Sequence, residues 1–341
     1  MERIVRGAGD SGAQERRVTQ TPREPQISQA PWHEGERAAH ARLGLSERMA
    51  EVGERALRNF MPDQHRLFFA QLPFLVVGSV DADQQPWASM LFGQPGFAMS
   101  PDPFTLDVAA LPDADDPLAP AIVEGAALGL LGIELPTLRR NRMNGHVAST
   151  GPGGFSLSVD QSFGNCPQYI HRRDYEGFRR DAFARSARAE RLTTLGAEEL
   201  SLIARADTCF VASAAIPRGG RADGIDVSHR GGMPGFLKLD REGHVLMPDY
   251  RGNFFFNTLG NLLVNPRIGV TIVDFDKGDL LQLTGIAEVI WEGVALADHP
   301  GAKRLCKITP LAAQWLRGGF PLATTLRQIS SQAMATLSMP N

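Results

Sequence analysis

The feature that most constrains this chain is that it resembles itself. Ser89 and Ser228 lie 139 residues apart, and the Gly-x-Pro-Gly-Phe of 93–97 recurs at 232–236 with the same offset. Further along the offset becomes 140, so that Leu106 falls on Leu246, Ile122 on Leu262, Gly129 on Gly269 and Gly145 on Gly285. A near-constant offset over so many positions, carried by matching turns, predicts one domain used twice. Two copies at so long a period do not make a solenoid. They are expected to pack on each other as a pseudo-dimer within one chain.

The texture of each copy says what that domain is made of. "FLVVGSV", "PWASML", "FTLDVAAL", "ALGLLGI", "HVAST" and "FSLSVD" are short apolar stretches bounded by turns, and "TCFVASA", "IDVSHR", "GFLKLD", "HVLMPD", "IGVTIVDF" and "LLQLTGIAEVIW" repeat the pattern. Helical periodicity is confined to the flanks. The expected fold class is therefore mainly β with flanking helices (α+β). A disordered arm over 1–30 comes first, then a helical segment over 31–71 and a first barrel-like domain over 72–173. A helical linker over 174–206, a second barrel over 207–300 and a helical tail over 301–341 complete the order. The "GPGG" of 151–154 reads as a hairpin turn rather than a dinucleotide loop, because no strand–helix unit surrounds it.

Charge and cysteine usage exclude some classes of partner. A formal net charge of −3 argues against nucleic acid or an anionic membrane as the main partner. The longest apolar candidate, "GAALGLLGIEL", is too short to span a bilayer and carries Glu134. Arg16-Arg17 has no apolar core behind it and is not read as an export signal. Cys166, Cys209 and Cys306 lack the spacing of a zinc site or a disulfide frame, so no metal and a cytoplasmic, reducing compartment are expected.

The chemistry is expected in the second copy. "PDYRGNFFFNTLGNLLVNP" at 248–266 reads as a helix capped by Asn253 and closed by Pro266, which places Arg251 and Gly252 at its N-terminus. Free N–H groups there favour an anion, and Arg230 from the preceding strand could complete a phosphate clamp. The first copy acts as an internal control. Arg251 falls on Leu111, Gly252 on Pro112 and Asn253 on Asp113, and Asp113, Asp115 and Asp116 would satisfy that helix start and repel a phosphate. One copy is expected to hold an anion and the other to have filled its site.

The segments "DVSHRGGMPGFLKL" and "LMPDYRGNFFFNTLGNLLVNPRIGVTIVDF" resemble the flavin-binding split β-barrel family typified by pyridoxamine 5′-phosphate oxidase. The likeness is to its predicted flavin-nucleotide-binding branch. It covers about 207–290 well and 70–170 more weakly. The resemblance implies two tandem split β-barrels forming an intramolecular pseudo-dimer that binds FMN, leaving further homodimerisation open. It implies cofactor contacts at Ser228, His229, Arg230, Phe236, Pro248, Asp249, Tyr250, Arg251, Gly252, Asn253 and Asn257. The segment "QSFGNCPQYIHRR" resembles one that reaches a partner's flavin, which adds Asn165, Cys166, Gln168 and Tyr169, with Pro167 between them. One flavin per chain and FMN-dependent oxidoreduction of a small molecule follow. The alternatives are a flavin carrier or sensor, and a split barrel holding haem or a deazaflavin. The substrate-phosphate arginines and lysines of true pyridoxamine phosphate oxidases are not found.

Each candidate also has an ordinary structural explanation. Arg251 could be a surface residue beside a helix cap, Arg230 one half of an ion pair, Phe236 core, and Cys166 a small buried hydrophobe. Ser228 aligns with Ser89, so a structural turn role competes with a flavin contact. His229 is the weak catalytic candidate, with no metal-binding or triad spacing around it.

Overall fold

The computed structural model describes residues 30–180, 188–215 and 222–338. All of the expected arm except Ala30 lies outside them. The helical segment forms α1 (Glu34–Arg42), α2 (Ser46–Ala56) and α3 (Asp63–Ala70). The long helix expected from Glu34 is broken into α1 and α2 at Gly44, whose φ of +68° belongs to a left-handed turn.

The first sheet comprises β1 (Phe74–Val80), β2 (Pro86–Phe92), β3 (Ala98–Met99), β4 (Thr105–Val108), β5 (Ala127–Glu134), β6 (Arg139–Gly151) and β7 (Gly154–Gly164). Two strands follow, β8 (Arg172–Phe178) and β9 (Ala189–Leu192), and then helix α4 (Ala197–Arg205). The second sheet begins with β10 (Thr208–Ala215), β11 (Gly224–Gly231), β12 (Lys238–Leu239) and β13 (Val245–Asp249). Helix α5 (Asn257–Val264) precedes β14 (Arg267–Asp274), β15 (Asp279–Ile290) and β16 (Arg304–Leu316); β17 (Leu322–Gln328) and α6 (Ser331–Thr336) end the chain. Among the described residues no helix is long and apolar enough to cross a membrane.

The sheets are antiparallel and repeat one strand order: β2-β1-β5-β6-β7-β4-β3 in the first, β11-β10-β14-β15-β16-β13-β12 in the second. Registers repeat as well. Val77 faces Ser89 as Val211 faces Ser228. Gly78 faces Gly129 as Ala212 faces Gly269. A bulge precedes both Gly145 and Gly285. At Gly96 and Gly235 the turn amide reaches back to the end of the preceding helix segment, to the carbonyls of Ala70 and Ala206. One pairing from the sequence shifts by a residue. The hairpins β3–β4 and β12–β13 keep the 139 offset, so the buried Leu106 matches the buried Val245 and not Leu246.

Strand alternation explains why the strands read as continuous apolar runs. Leu75 and Val77 point into the first half's own core, whereas Phe74 and Val76 point into a core shared between the halves. Val211 likewise joins the second half's core, while Phe210 and Ala212 join the shared one. The glycines at the 140 offset permit this contact. A Cβ on Gly129 would stand 2.3 Å from the Ile225 carbonyl oxygen, and one on Gly269 2.4 Å from that of Pro86. Only a residue without a side chain lets each sheet press backbone to backbone on the other.

Two helical expectations fail. Residues 174–178 of the linker belong to β8, which pairs with β17, and about half of the expected helical tail is the strands β16 and β17. The two strands form a ribbon that rests on the shared core through Leu322, Tyr175 and Phe178, and this pairing and packing outweigh helix propensity. Within the linker only α4 is a helix among the described residues.

Candidate functional site

At one end of the shared core a cleft opens between the halves. The second half supplies Ser228, His229, Arg230 and Gly231 from β11, Pro248 and Asp249 from β13, and the following loop from Tyr250 into α5. The first half supplies Arg140 and Arg142 from β6 and the loop Asn165–Tyr169 after β7. Cross-half contacts run along β6: Asn144 donates to Asp226 (2.7 Å), Arg142 to Ser228 Oγ (2.5 Å) and Asn257 Oδ1 (2.7 Å), and Arg140 to His229 Nδ1 (3.3 Å).

The walls are held in uncommon backbone conformations. Tyr169, Phe254 and Phe256, three of the five non-glycine residues with positive φ among the described residues, all line this cleft. Each such residue costs on the order of 1 kcal/mol, which the surroundings must over-determine. Tyr169 donates its hydroxyl to the Arg251 carbonyl (3.1 Å) and stacks on Tyr250 with ring centroids 5.1 Å apart. Gly231 permits the close approach, since a Cβ there would stand 2.1 Å from the Tyr169 carbonyl oxygen. Helix α1 braces the other side: His40 Nε2 bonds the Phe254 carbonyl (2.9 Å), and buried Glu36 accepts from Asn257 (2.7 Å).

Cations dominate the electrostatics. Arg230 and Arg304 share Asp249 at 2.6 and 2.8 Å, while Arg142 has Asp226 at 3.9 Å. Among the described residues no carboxylate lies within ion-pair distance of Arg140, whose guanidinium meets His229. Burial, with the guanidiniums of Arg142 and Arg230 nearby, pushes Arg140 down to about 9. Burial pushes Arg142 down to about 10, against the pull of Asp226. Burial opposes the charge on Arg230 too, but Asp249 outweighs it and holds the group above its ordinary value. His229 lies well below the usual histidine range because it is buried, and Arg140, His171 and Arg230 add to the effect. The Tyr169 hydroxyl is pushed up to about 12, chiefly by burial.

Six polar atoms on the residues of this cleft are buried without a partner among the described residues. Four are nitrogens, the Nε–H groups of Arg140, Arg142 and Arg230 and Nε2 of His229; two are amide oxygens, Asn165 Oδ1 and Gln168 Oε1. Buried polar atoms are ordinarily paired, so this concentration marks a place shaped for a ligand. The ligand's chemistry follows: acceptors and negative charge against the arginine wall, a donor against the amides. FMN fits this donor set. It fits the volume less freely, because the cleft encloses about 100 Å³, below the roughly 300 Å³ at which ligand pockets usually begin.

Of the residues expected from sequence, Ser228, His229, Arg230, Pro248, Asp249, Tyr250, Gly252, Asn253, Asn257, Asn165, Cys166, Gln168 and Tyr169 all line the cleft. Phe236 does not. It is buried in the second half's own core, behind the tight turn at Gly232. Arg251 contributes its carbonyl, while the residue itself is exposed outside the lining. Asn253 is not a helix cap: α5 starts at Asn257, preceded by Phe256 in the left-handed conformation. The clamp of Arg230, Arg251 and a helix start is therefore not formed, and Arg230 is tied to Asp249 instead. Sequence reading missed Arg140, Arg142, Gly231, Phe254, Phe256, Thr258 and Leu259. The signal for the arginines was available. At the 140 offset they stand opposite Leu280 and Gln282, so the first half carries a charge at each position where the second half carries none.

No family model and no curated protein matches this sequence. Solved structures similar to it include HupZ of Group A Streptococcus, at 14% identity and TM-score 0.28, covering 40% of this chain and 99% of that one. A proposed pyridoxamine 5′-phosphate oxidase of Lactobacillus delbrueckii matches at 14% and 0.29, covering 36% and 98%. A FAD-binding protein of Mesorhizobium loti matches at 14% and 0.25, covering 37% and 96%.

Proposed function

We propose that this chain binds one FMN in the cleft between its halves and works as an oxidoreductase on a small molecule. The reading rests on one observation above the others: three unpaired buried arginine Nε–H donors and the unpaired Nε2 of His229 on a net cationic wall, flanked by two tyrosines. The family resemblance of the second half supplies the identity of the ligand. Bound flavin would carry the hydride and electron chemistry, which side chains do not perform.

The protein's part is to bind and orient. Arg140, Arg142 and Arg230 offer charge-assisted hydrogen bonds to acceptor atoms, and charge near a flavin ring tunes its electronics. Asn165 and Gln168 offer acceptors to a ring N–H. Tyr169 and Tyr250 shut the mouth against water. At the equivalent place in the first half Met90, Leu91, Asp116 and Leu118 are buried, which is the reason for one flavin rather than two.

The test is the visible spectrum of the purified protein, or of the protein after added FMN, followed by denaturation and identification of what is released. About one FMN per chain is the expected result. Two per chain would overturn the sealed first half, and a Soret band or failure to take up FMN would overturn the flavin. Reduction by NAD(P)H coupled to a screened acceptor then separates an enzyme from a carrier or sensor.

A further inference from the structure

We infer that Arg140 fixes His229 as an Nε2–H hydrogen-bond donor, and that the cleft thereby selects a ligand with an acceptor atom on its buried edge. The argument begins with which atoms can donate. Arg140 approaches His229 Nδ1 at 3.3 Å. A guanidinium has N–H donors and no acceptor, so Nδ1 must supply the lone pair and the neutral ring carries its proton on Nε2. That Nε2–H is buried, on a residue 5% exposed, and no protein atom accepts from it.

The surroundings keep the ring in this state. Arg140 faces it from β6, Arg230 neighbours it on β11, and the Phe210 ring of β10 packs edge-on at 5.8 Å; His171, from the segment before β8, accepts from Ser330 N–H at Nδ1 and meets the Gly232 carbonyl through Nε2, so it brings no carboxylate. No carboxylate is free to balance a second proton: Asp249 is engaged by Arg230 and Arg304, and Asp226 by Asn144 and Arg142. An imidazolium would turn Nδ1–H against a guanidinium. His229 therefore serves neither as a general acid–base at neutral pH nor as an axial haem ligand through Nε2, whose lone pair is occupied. Its equivalent in the first half, Met90, is a buried hydrophobe of the shared core.

The acceptor is a carbonyl oxygen, ring nitrogen or phosphate oxygen. Only its assignment to FMN rests on the flavin reading above. The test has one arm that needs no ligand. Long-range ¹⁵N NMR of the ligand-free protein labelled at its histidine nitrogens reads the tautomer of His229. It should be Nε2–H, unchanged from about pH 5.5 to about pH 8. Arg140→Lys, still a donor-only cation, should keep it, and Arg140→Leu should let His229 titrate or populate both tautomers. An Nδ1–H tautomer or an imidazolium in the wild type would overturn the inference. In the second arm, His229→Phe should weaken FMN binding about tenfold. His229→Gln, which sets an amide N–H near the Nε2 position, should restore most of it. Equal affinity in wild type and His229→Phe removes the donor role. An Nε2–H spectrum in a protein that takes up no FMN overturns the flavin and leaves the tautomer established.

Discussion

In the first half, Ser89 donates to Asp116 at 2.5 Å, and Gln282 crosses from the second half to close on the same serine and carboxylate. In the second half the equivalent Ser228 meets Arg142, which crosses the other way. The two crossings are related by the 140 offset, so the same device is used twice with opposite outcomes. Around Ser89 the neighbours are Met90, Leu91 and Leu118, all buried, and the space is closed. Around Ser228 they are His229, Arg230 and Thr258, and it stays open. A carboxylate of the same half closes on Ser89, whereas an arginine of the opposite half closes on Ser228. The difference teaches that one repeated serine position takes a partner of either charge, according to whether its neighbours are apolar or polar.

The largest effect should come from breaking the open side. Arg142→Met leaves Asp226 buried beside its missing guanidinium. It should lower unfolding stability by about 3–5 kcal/mol in urea titrations, the usual cost of removing one partner of a buried ion pair. Gln282→Met, its counterpart, removes neutral hydrogen bonds and should cost about 1–3 kcal/mol. Equal losses would mean that the two crossings are electrostatically alike.

The halves should behave alike at the glycines that join them. Gly129→Ala and Gly269→Ala each drive a Cβ into a backbone carbonyl of the other half, and both should cost about 3 kcal/mol. A much smaller loss at one of them would show that the interface is tight on one side only.

The sealed site should show itself in pH dependence. Burial lifts Asp116 to about 6 from its ordinary 3.8, against the hydrogen bonds from Ser89, Leu118 N–H and Gln282. Because the folded value lies above the unfolded one, its contribution to stability is fully present below about pH 4. It falls as pH rises and is lost above about pH 6, by on the order of 2–3 kcal/mol. Asp116→Asn should flatten that part of the stability profile and stabilise the protein at pH above about 7 relative to wild type. A profile unchanged by the substitution would mean that the carboxylate is not desolvated.

The smallest effect is expected where the sequence alone pointed most firmly. Arg251→Ala should change FMN affinity less than about twofold, because the residue is exposed and a solvated arginine outside the cleft contributes little. Leu111→Ala should be equally mild for stability, since Leu111 is 48% exposed and packs little. A large loss of affinity with Arg251→Ala would restore the phosphate clamp at the head of the 250–256 loop.

Much of this molecule was legible before any coordinates. The repeated Gly-x-Pro-Gly-Phe turn, the spaced glycines and the alternating apolar stretches determined two copies of one sheet, because turns and close backbone approaches admit few residue types. His229 and Tyr250 announced themselves by being polar or aromatic where the other copy is not, whereas Ser228 is matched by Ser89 and stood out only through its neighbours. The helices expected over the linker and tail were misread, since strands β8 and β17 exist only by pairing with each other across 144 residues or more. What only the tertiary structure decided is which charges meet. Arg140 and Arg142 are ordinary strand residues in sequence, and Arg251 looks like an anion anchor. Packing one half against the other buries the first two beside His229 and leaves the third in solvent. A local pattern carries the shape of each half, but a guanidinium's partner lies on the opposite sheet, where no local pattern reaches.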